Sequence, residues 1–331
     1  MKKYLIITIL FLLSIYTFLT PSISYEIINY ALPIMKISKN KNIKFLSYMP
    51  ILKNCIIKED EKEDIVTTEI IVDEEVEEVI KEENVVNAKE VTLDWQNILK
   101  NETKFNVDID KLKNEKLNFK LNKKDIEVLI YHTHSTECYS KSKGYEYEAS
   151  GVFRTLNKKV SVIRIGNEIK ANLQKYGIGV YHDETLYDYP DYNKSYSNAG
   201  KSIPKLLDKY KNVKIVLDVH RDAIGVGTEQ YKPVVKINGE NVAQFMLVIG
   251  TNGGGLKHDA WKENLKLALK IKEKADEKYP GLCRYIILRK ERFNQQVTNG
   301  AMIVEMGATG NTIPEVINAS KYFAEILNDV V

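Results

Sequence analysis

Cysteine is scarce. Three residues, Cys55, Cys138 and Cys283, odd in number and without a C-x-x-C spacing, are all that a chain of 331 carries. That pattern argues against a disulfide framework and a structural zinc ribbon. Nucleic-acid motifs are missing and no internal repeat is visible, so no nucleic-acid partner is expected. Histidine is almost as rare, five residues in all, yet two of them stand one residue apart in "VLIYHTHSTE", residues 128–137. Imidazole changes charge near neutral pH and has two nitrogens that need partners, so such a pair at the end of an apolar run points to a bound group.

Charge is plentiful but uneven. The formal net charge of +3 averages two unlike regions: Glu59 to Glu90 holds fourteen carboxylates against three lysines, a balance of −11, which leaves +14 on the rest. A basic remainder is compatible with nucleic acid, an anionic membrane or another polyanion such as a bacterial wall, and the sign alone does not choose among them.

At the start, "MKKYLIITILFLLSIYTFLTPSIS" sets Lys2 and Lys3 before an uncharged run from Tyr4 to about Leu19, with apolar character continuing to Ile37. Lysines ahead of the run hold it at the cytoplasmic face and send the downstream chain outside the cytosol. Residues 1–37 therefore read as a membrane anchor or signal-like region, and a retained anchor is the expectation. Residues 38–120 read as a basic, then acidic spacer: mutually repelling carboxylates with scattered valines and isoleucines do not build a core.

From about Asp125 apolar runs alternate with helical periodicity. "DIEVLIYH" reads as a buried strand, and Val162, Ile165, Ile169, Leu173 and Tyr176 fall on one helical face that stops at Gly177. Further strands are expected at 178–183, 213–220, 241–251, 284–289 and 300–306, with helices at about 195–210 and 258–279. A last helix starts at "TIPE", where Thr312 and Glu315 form a capping box. The alternation predicts an α/β domain over 121–331, a mostly parallel twisted sheet flanked by helices.

In such a sheet ligands bind outside the strands' carboxyl ends. Three strand-like runs end in suitable residues: His132, His134 and Glu137; His220 and Asp222; Glu305. Two histidines plus a carboxylate, with water in the fourth position, is a catalytic zinc set, and a second carboxylate is then available to move protons. Glu146 and Glu148 compete with Glu137 for the third position. His132, closer to the strand body, reads as support for the ligands, and His182 and His258 as structural or surface residues.

"VLIYHTHSTECY", "VLDVHRDA" and "FNQQVTNGAMIVEMGATGN" together resemble the signature stretches of the stage II sporulation protein P family, membrane-anchored zinc N-acetylmuramoyl-L-alanine amidases of spore-forming Firmicutes. The resemblance spans roughly residues 125–331. It implies a zinc-amidase fold, with His134 and His220 as ligands and Glu305 as the catalytic acid-base. The wider amidase group opens its first long helix with a ligand Glu, but the corresponding place here, near Lys158, is basic, and Glu137 is the nearest substitute within the motif. Also implied are cleavage between N-acetylmuramic acid and L-alanine, a second cut in the stem peptide, partnership with stage II sporulation proteins D and M in forespore engulfment, and a single-pass placement in the mother-cell membrane facing the forespore.

Asn294, Gln295 and Gln296 offer amides to peptide or sugar, Arg221 a charge for an oxyanion or a stem carboxylate, and Tyr139, Tyr145 and Tyr147 rings for stacking or packing. Two other readings stand beside the zinc hydrolase: a cysteine hydrolase using Cys138 with His132 or His134, and a non-catalytic anchored scaffold that binds the wall.

Overall fold

The computed structural model describes residues 88–226 and 229–331. Its main sheet has seven strands in the order β2-β10-β9-β11-β5-β3-β4. They are β2 (Leu99–Asn101), β3 (Ile126–Tyr131), β4 (Gly179–His182), β5 (Ile215–Asp222), β9 (Phe245–Gly250), β10 (Ile286–Arg289) and β11 (Gly300–Ala308). β11, β5, β3 and β4 form one parallel block. β9, β10 and β2 form a second, joined to the first by the antiparallel β9/β11 pair. The sheet is thus mostly parallel, as expected, but its two blocks run in opposite directions.

The apolar run 241–251 is two strands, β8 (Glu240–Ala243) and β9, broken at Gln244. Gln244 is fully buried; its side chain accepts from the Leu93 amide at 2.7 Å and donates to the Gly281 carbonyl at 2.7 Å. β8 pairs instead with β7 (Glu229–Ile237), in a small second sheet with β1 (Lys89–Val91) and β6 (Gly225–Val226).

Both faces of the main sheet are covered, which is why its strands read as unbroken apolar runs. Val128 and Ile130 pack with α2 (Val162–Lys175), α4 (Trp261–Lys278) and α5 (Ile313–Val330). Leu129 and Tyr131 face α3 (Ser195–Lys209) through Ala199 and Ile203. Helix α2 starts on Ser161, whose hydroxyl accepts from the Ile163 amide, and is followed by Gly177 at φ +78°. The Thr312/Glu315 capping box opens α5.

Residues 88–120, placed in the spacer by composition, contribute β1, β2 and α1 (Ile109–Asn114). Lysines of α4 fasten this stretch: Lys272 donates to the Trp95 carbonyl at 2.7 Å and Lys270 to that of Lys113 at 2.8 Å. The expected anchor over 1–37 and the acidic run up to residue 87 lie outside the described residues. Among the described residues no helix is long and apolar enough to cross a membrane.

Candidate active site

β11, β5 and β3 are consecutive parallel neighbours, so their carboxyl ends share one edge. In register, Glu305 lies opposite His220 and Tyr131 opposite Asp218. Asp218 and His220, two residues apart on β5, share a face. That face is covered by α3 and the 3-10 turn Tyr192–Lys194 before it.

The loop after β3 delivers the other groups, and two buried aspartates hold it. Asp218 accepts from the Thr133 amide at 2.8 Å and its hydroxyl at 2.6 Å; Asp188 accepts from the hydroxyls of Ser135 and Thr136 at 2.7 and 2.6 Å. His134 stands between rings. It stacks on Tyr192 (4.4 Å, 13°) and lies edge-on to His220 (5.2 Å, 86°) and Tyr196 (5.5 Å, 87°). Its Nε2 is 3.2 Å from the Tyr192 hydroxyl, while its Nδ1 is buried without a partner. Burial, reinforced by His220 and Arg154 and opposed by Glu137, holds the imidazole down at about 3, hence neutral and able to ligate.

Glu137 is buried with Oε2 3.5 Å from His220 Nδ1. Burial alone would raise its pKa, but Arg221, His220 and His134 outweigh that and keep it an anion well below the usual range. On the far side of the His220 ring, Nε2 is 2.8 Å from Asp218 Oδ1, a contact without hydrogen-bond geometry. Burial opposes the His220 charge, yet Asp218 and Glu137 leave its pKa well above the ordinary value. Glu305 Oε2 is buried and unpartnered; burial, with Asp222 and Glu137 against His220 and Arg221, pushes this carboxyl up to about 8.

The donor types fit zinc. Donors bonded at about 2.0 to 2.1 Å in a tetrahedron stand about 3.3 Å apart, close to the 3.5 Å between Glu137 Oε2 and His220 Nδ1. The bare Nδ1 of His134 offers the third donor. As the side chains stand, no three His, Cys, Asp or Glu among the described residues close around one point. Glu146 and Glu148 are exposed, and Glu146 accepts from the Gly144 amide at 3.0 Å, so Glu137 has the better claim to the third position.

Other expected residues serve the frame. His132 donates from Nδ1 to the Val219 carbonyl at 2.7 Å, and its Nε2 meets His182 Nε2 at 2.7 Å, bracing the strand that carries His220. Helix α2 approaches this pair at Gly166, where a Cβ would lie 2.5 Å from His182 Nε2. Arg221 donates to the Cys138 carbonyl at 3.0 Å and the Phe153 carbonyl at 3.2 Å. Asp222 pairs with Arg284 at 2.6 Å. Asn294 donates to the Tyr196 carbonyl at 2.9 Å. Gln295 brackets the end of β9, accepting from the Gly250 amide at 2.8 Å and donating to the Val248 carbonyl at 3.0 Å, at the opposite end of β11 from Glu305. Tyr139 and Tyr147 are buried and donate to the carbonyls of Met306 and Tyr139, so they pack rather than stack on sugar.

Cys138 sits fully buried with Tyr147, Phe153 and Val160, and burial pushes its thiol up to about 12. A thiol so held is no nucleophile near neutral pH.

Three neighbours were not singled out in the sequence. Asp218 was readable there, a carboxylate two residues before His220 on the same strand face; Tyr192 and Arg154, whose guanidinium lies 3.6 Å over the Tyr192 ring, carry no local signal.

The model of the family described as stage II sporulation protein P matches residues 25–328. The chain belongs to this stage II sporulation protein P family. A curated relative, stage II sporulation protein P of Bacillus subtilis (strain 168), is 25% identical over 214 residues, 61% of this chain and 50% of that protein. The chain thus matches about half the length of that relative. Among solved structures, this member of the family is similar to the N-acetylmuramoyl-L-alanine amidase AmiC2 of Nostoc punctiforme (10% identity, 62% of this chain, 93% of that one, TM-score 0.34). It is also similar to the CwlD amidase of Clostridioides difficile, solved with the GerS lipoprotein (12% identity, 61% and 94%, TM-score 0.37). Likenesses at these TM-scores carry no argument about the chemistry of this chain.

Proposed function

We propose that this chain is a zinc-dependent peptidoglycan hydrolase that cuts the amide between N-acetylmuramic acid and L-alanine. The observation that carries the reading is the register of Glu305 opposite His220 on neighbouring parallel strands, with Glu137 3.5 Å from the same imidazole. Family membership supports it.

His134, His220 and Glu137 would hold the metal. Zinc bound there supplies a water that ionises near neutral pH and polarises the amide carbonyl. Glu305, a buried carboxyl opposite His220, takes a proton from the attacking water when ionised and hands it to the departing alanine nitrogen as the C–N bond breaks. Asp218, 2.8 Å from His220 Nε2 and tied to Thr133, favours the proton on that nitrogen and so leaves Nδ1 to face the metal. A second cut in the stem peptide, action with stage II sporulation proteins D and M in forespore engulfment, and placement in the mother-cell membrane belong to the same proposal. They rest on family membership and on Lys2 and Lys3 ahead of the uncharged run.

The test is product analysis by mass spectrometry after the full chain digests purified sacculi, with zinc content measured in parallel. Chelation should abolish release of stem peptides with a free alanine amine and zinc should restore it. His134→Ala and His220→Ala should each lose the metal. Digestion that persists after complete metal removal overturns the reading.

A further inference from the structure

Arg154 is a half-buried cation beside the site with no carboxylate partner among the described residues. Of the acids around the site, Glu137 faces Arg221 and His220, Asp191 pairs with Lys194 at 2.8 Å, Glu184 with Lys158 at 3.9 Å, and Asp188 holds the loop hydroxyls, while Glu148, whose carbonyl accepts from the Thr155 hydroxyl, is exposed. The guanidinium instead lies flat on Tyr192 at 3.6 Å, and Tyr192 lies flat on His134 at 4.4 Å. A three-layer stack thus runs outward from a candidate ligand to a positive charge.

The stack is held from both sides. Arg154 bridges Glu137 in antiparallel backbone pairing, flanked by Cys138 N–H to the Phe153 carbonyl at 3.0 Å and Thr155 N–H to the Thr136 carbonyl at 2.8 Å. The backbones of Arg154 and Glu137 are therefore fixed to one another. Stacking engages only the faces of a guanidinium and leaves its edge N–H groups, in their forked geometry, for a carboxylate.

We propose that Arg154 is the specificity residue for an acidic peptide, binding a carboxylate borne by the second residue on the peptide side of the scissile amide. The spacing suits that assignment. Two stacking layers separate the guanidinium from His134, and two residues of extended peptide reach about 7 Å. Arg221, the other arginine at the site, has its guanidinium engaged by the Cys138 and Phe153 carbonyls. The inference rests on the hydrolase reading for the identity of its ligand.

The experiment compares two muramoyl tripeptides that differ only at the second residue, one with a free carboxylate and one with the carboxamide. Affinity for the full chain is measured by calorimetry, and cleavage is followed separately. The wild type should bind the carboxylate form about tenfold or more tightly, the order of a charge-assisted hydrogen-bond pair. Arg154→Gln should collapse the ratio to about one, and Arg154→Lys, which keeps the charge but not the fork, should fall between. Equal affinities in the wild type, or an unchanged ratio in Arg154→Gln, overturn the inference. Because binding needs no turnover, the affinity ratio decides the role of Arg154 even where neither peptide is cut, and absence of cleavage counts against the hydrolase reading alone.

Discussion

Arg221 and Glu137 are joined twice: the Arg221 backbone N–H donates to Glu137 Oε2 at 3.3 Å, and its guanidinium stands 3.8 Å from Oε1. The same guanidinium grips the carbonyls of Cys138 and Phe153, so one buried cation sets both the charge and the position of a candidate ligand.

Replacing Arg221 should therefore do more than remove a positive charge. Arg221→Met leaves two buried carbonyls and an anion without their partner, a loss of about 3 to 5 kcal/mol. Arg221→Lys should recover part of the stability but only part of the metal affinity, which falls about 10- to 100-fold when a ligand's support is lost. Urea unfolding of the metal-free protein and competitive zinc titration separate the two effects.

The pH dependence of stability isolates Glu305. Its pKa rises from 4.5 unfolded to about 8 folded, so its contribution is complete below 4.5 and is lost as pH rises through 8. The buried neutral histidines 132, 134, 182 and 258 act oppositely, adding stability as pH rises towards 6.5. The wild-type curve mixes both signs, so the informative quantity is the stability of metal-free wild type minus that of Glu305→Gln. That difference should shrink by a few kcal/mol between pH 4.5 and 8; a flat difference would show that Glu305 is not held as described.

Gly166→Ala tests the packing under His132. Alanine favours a helix by about 1 kcal/mol over glycine, but its Cβ would meet His182 Nε2 at 2.5 Å and His132 Nε2 at 2.7 Å. His132 is pinned to Val219, so the clash should win, with net destabilisation of about 1 to 3 kcal/mol by chemical denaturation.

Cys138→Ala should keep wall digestion at the wild-type rate, with a stability loss of about 1 kcal/mol from the emptied volume beside Tyr147 and Phe153. Loss of digestion in a protein that still melts like the wild type would reopen the cysteine reading.

Much of this was legible in the sequence because the signals were local. The strand carrying "DIEVLIYH", the face of α2 and the Thr312/Glu315 cap follow from periodicity and capping chemistry, and the strand that leads to His134 and those that carry His220 and Glu305 lie side by side. Direction was not legible: 241–251 is one apolar run, yet it is two strands broken at the buried Gln244, which is held by Leu93 and Gly281 from distant segments, and β9 runs antiparallel to β11. The amides of Asn294 and Gln295 looked available for ligand because nothing nearby in sequence reveals their partners, the carbonyls of Tyr196 and Val248. Arg154 and Tyr192 were silent for the same reason: a stack between loops 38 residues apart leaves no periodicity.

The fastening of residues 88–120 decides where the protein tolerates being cut. A fragment begun at 121 would leave the Lys272 ammonium, 1% exposed, without the Trp95 carbonyl and the Gln244 side chain without Leu93. It would also strip β2 from β10 and bare a strand edge open to pairing with other copies. Such a fragment should clump, whereas one that begins upstream of Lys89 keeps its own edge strand.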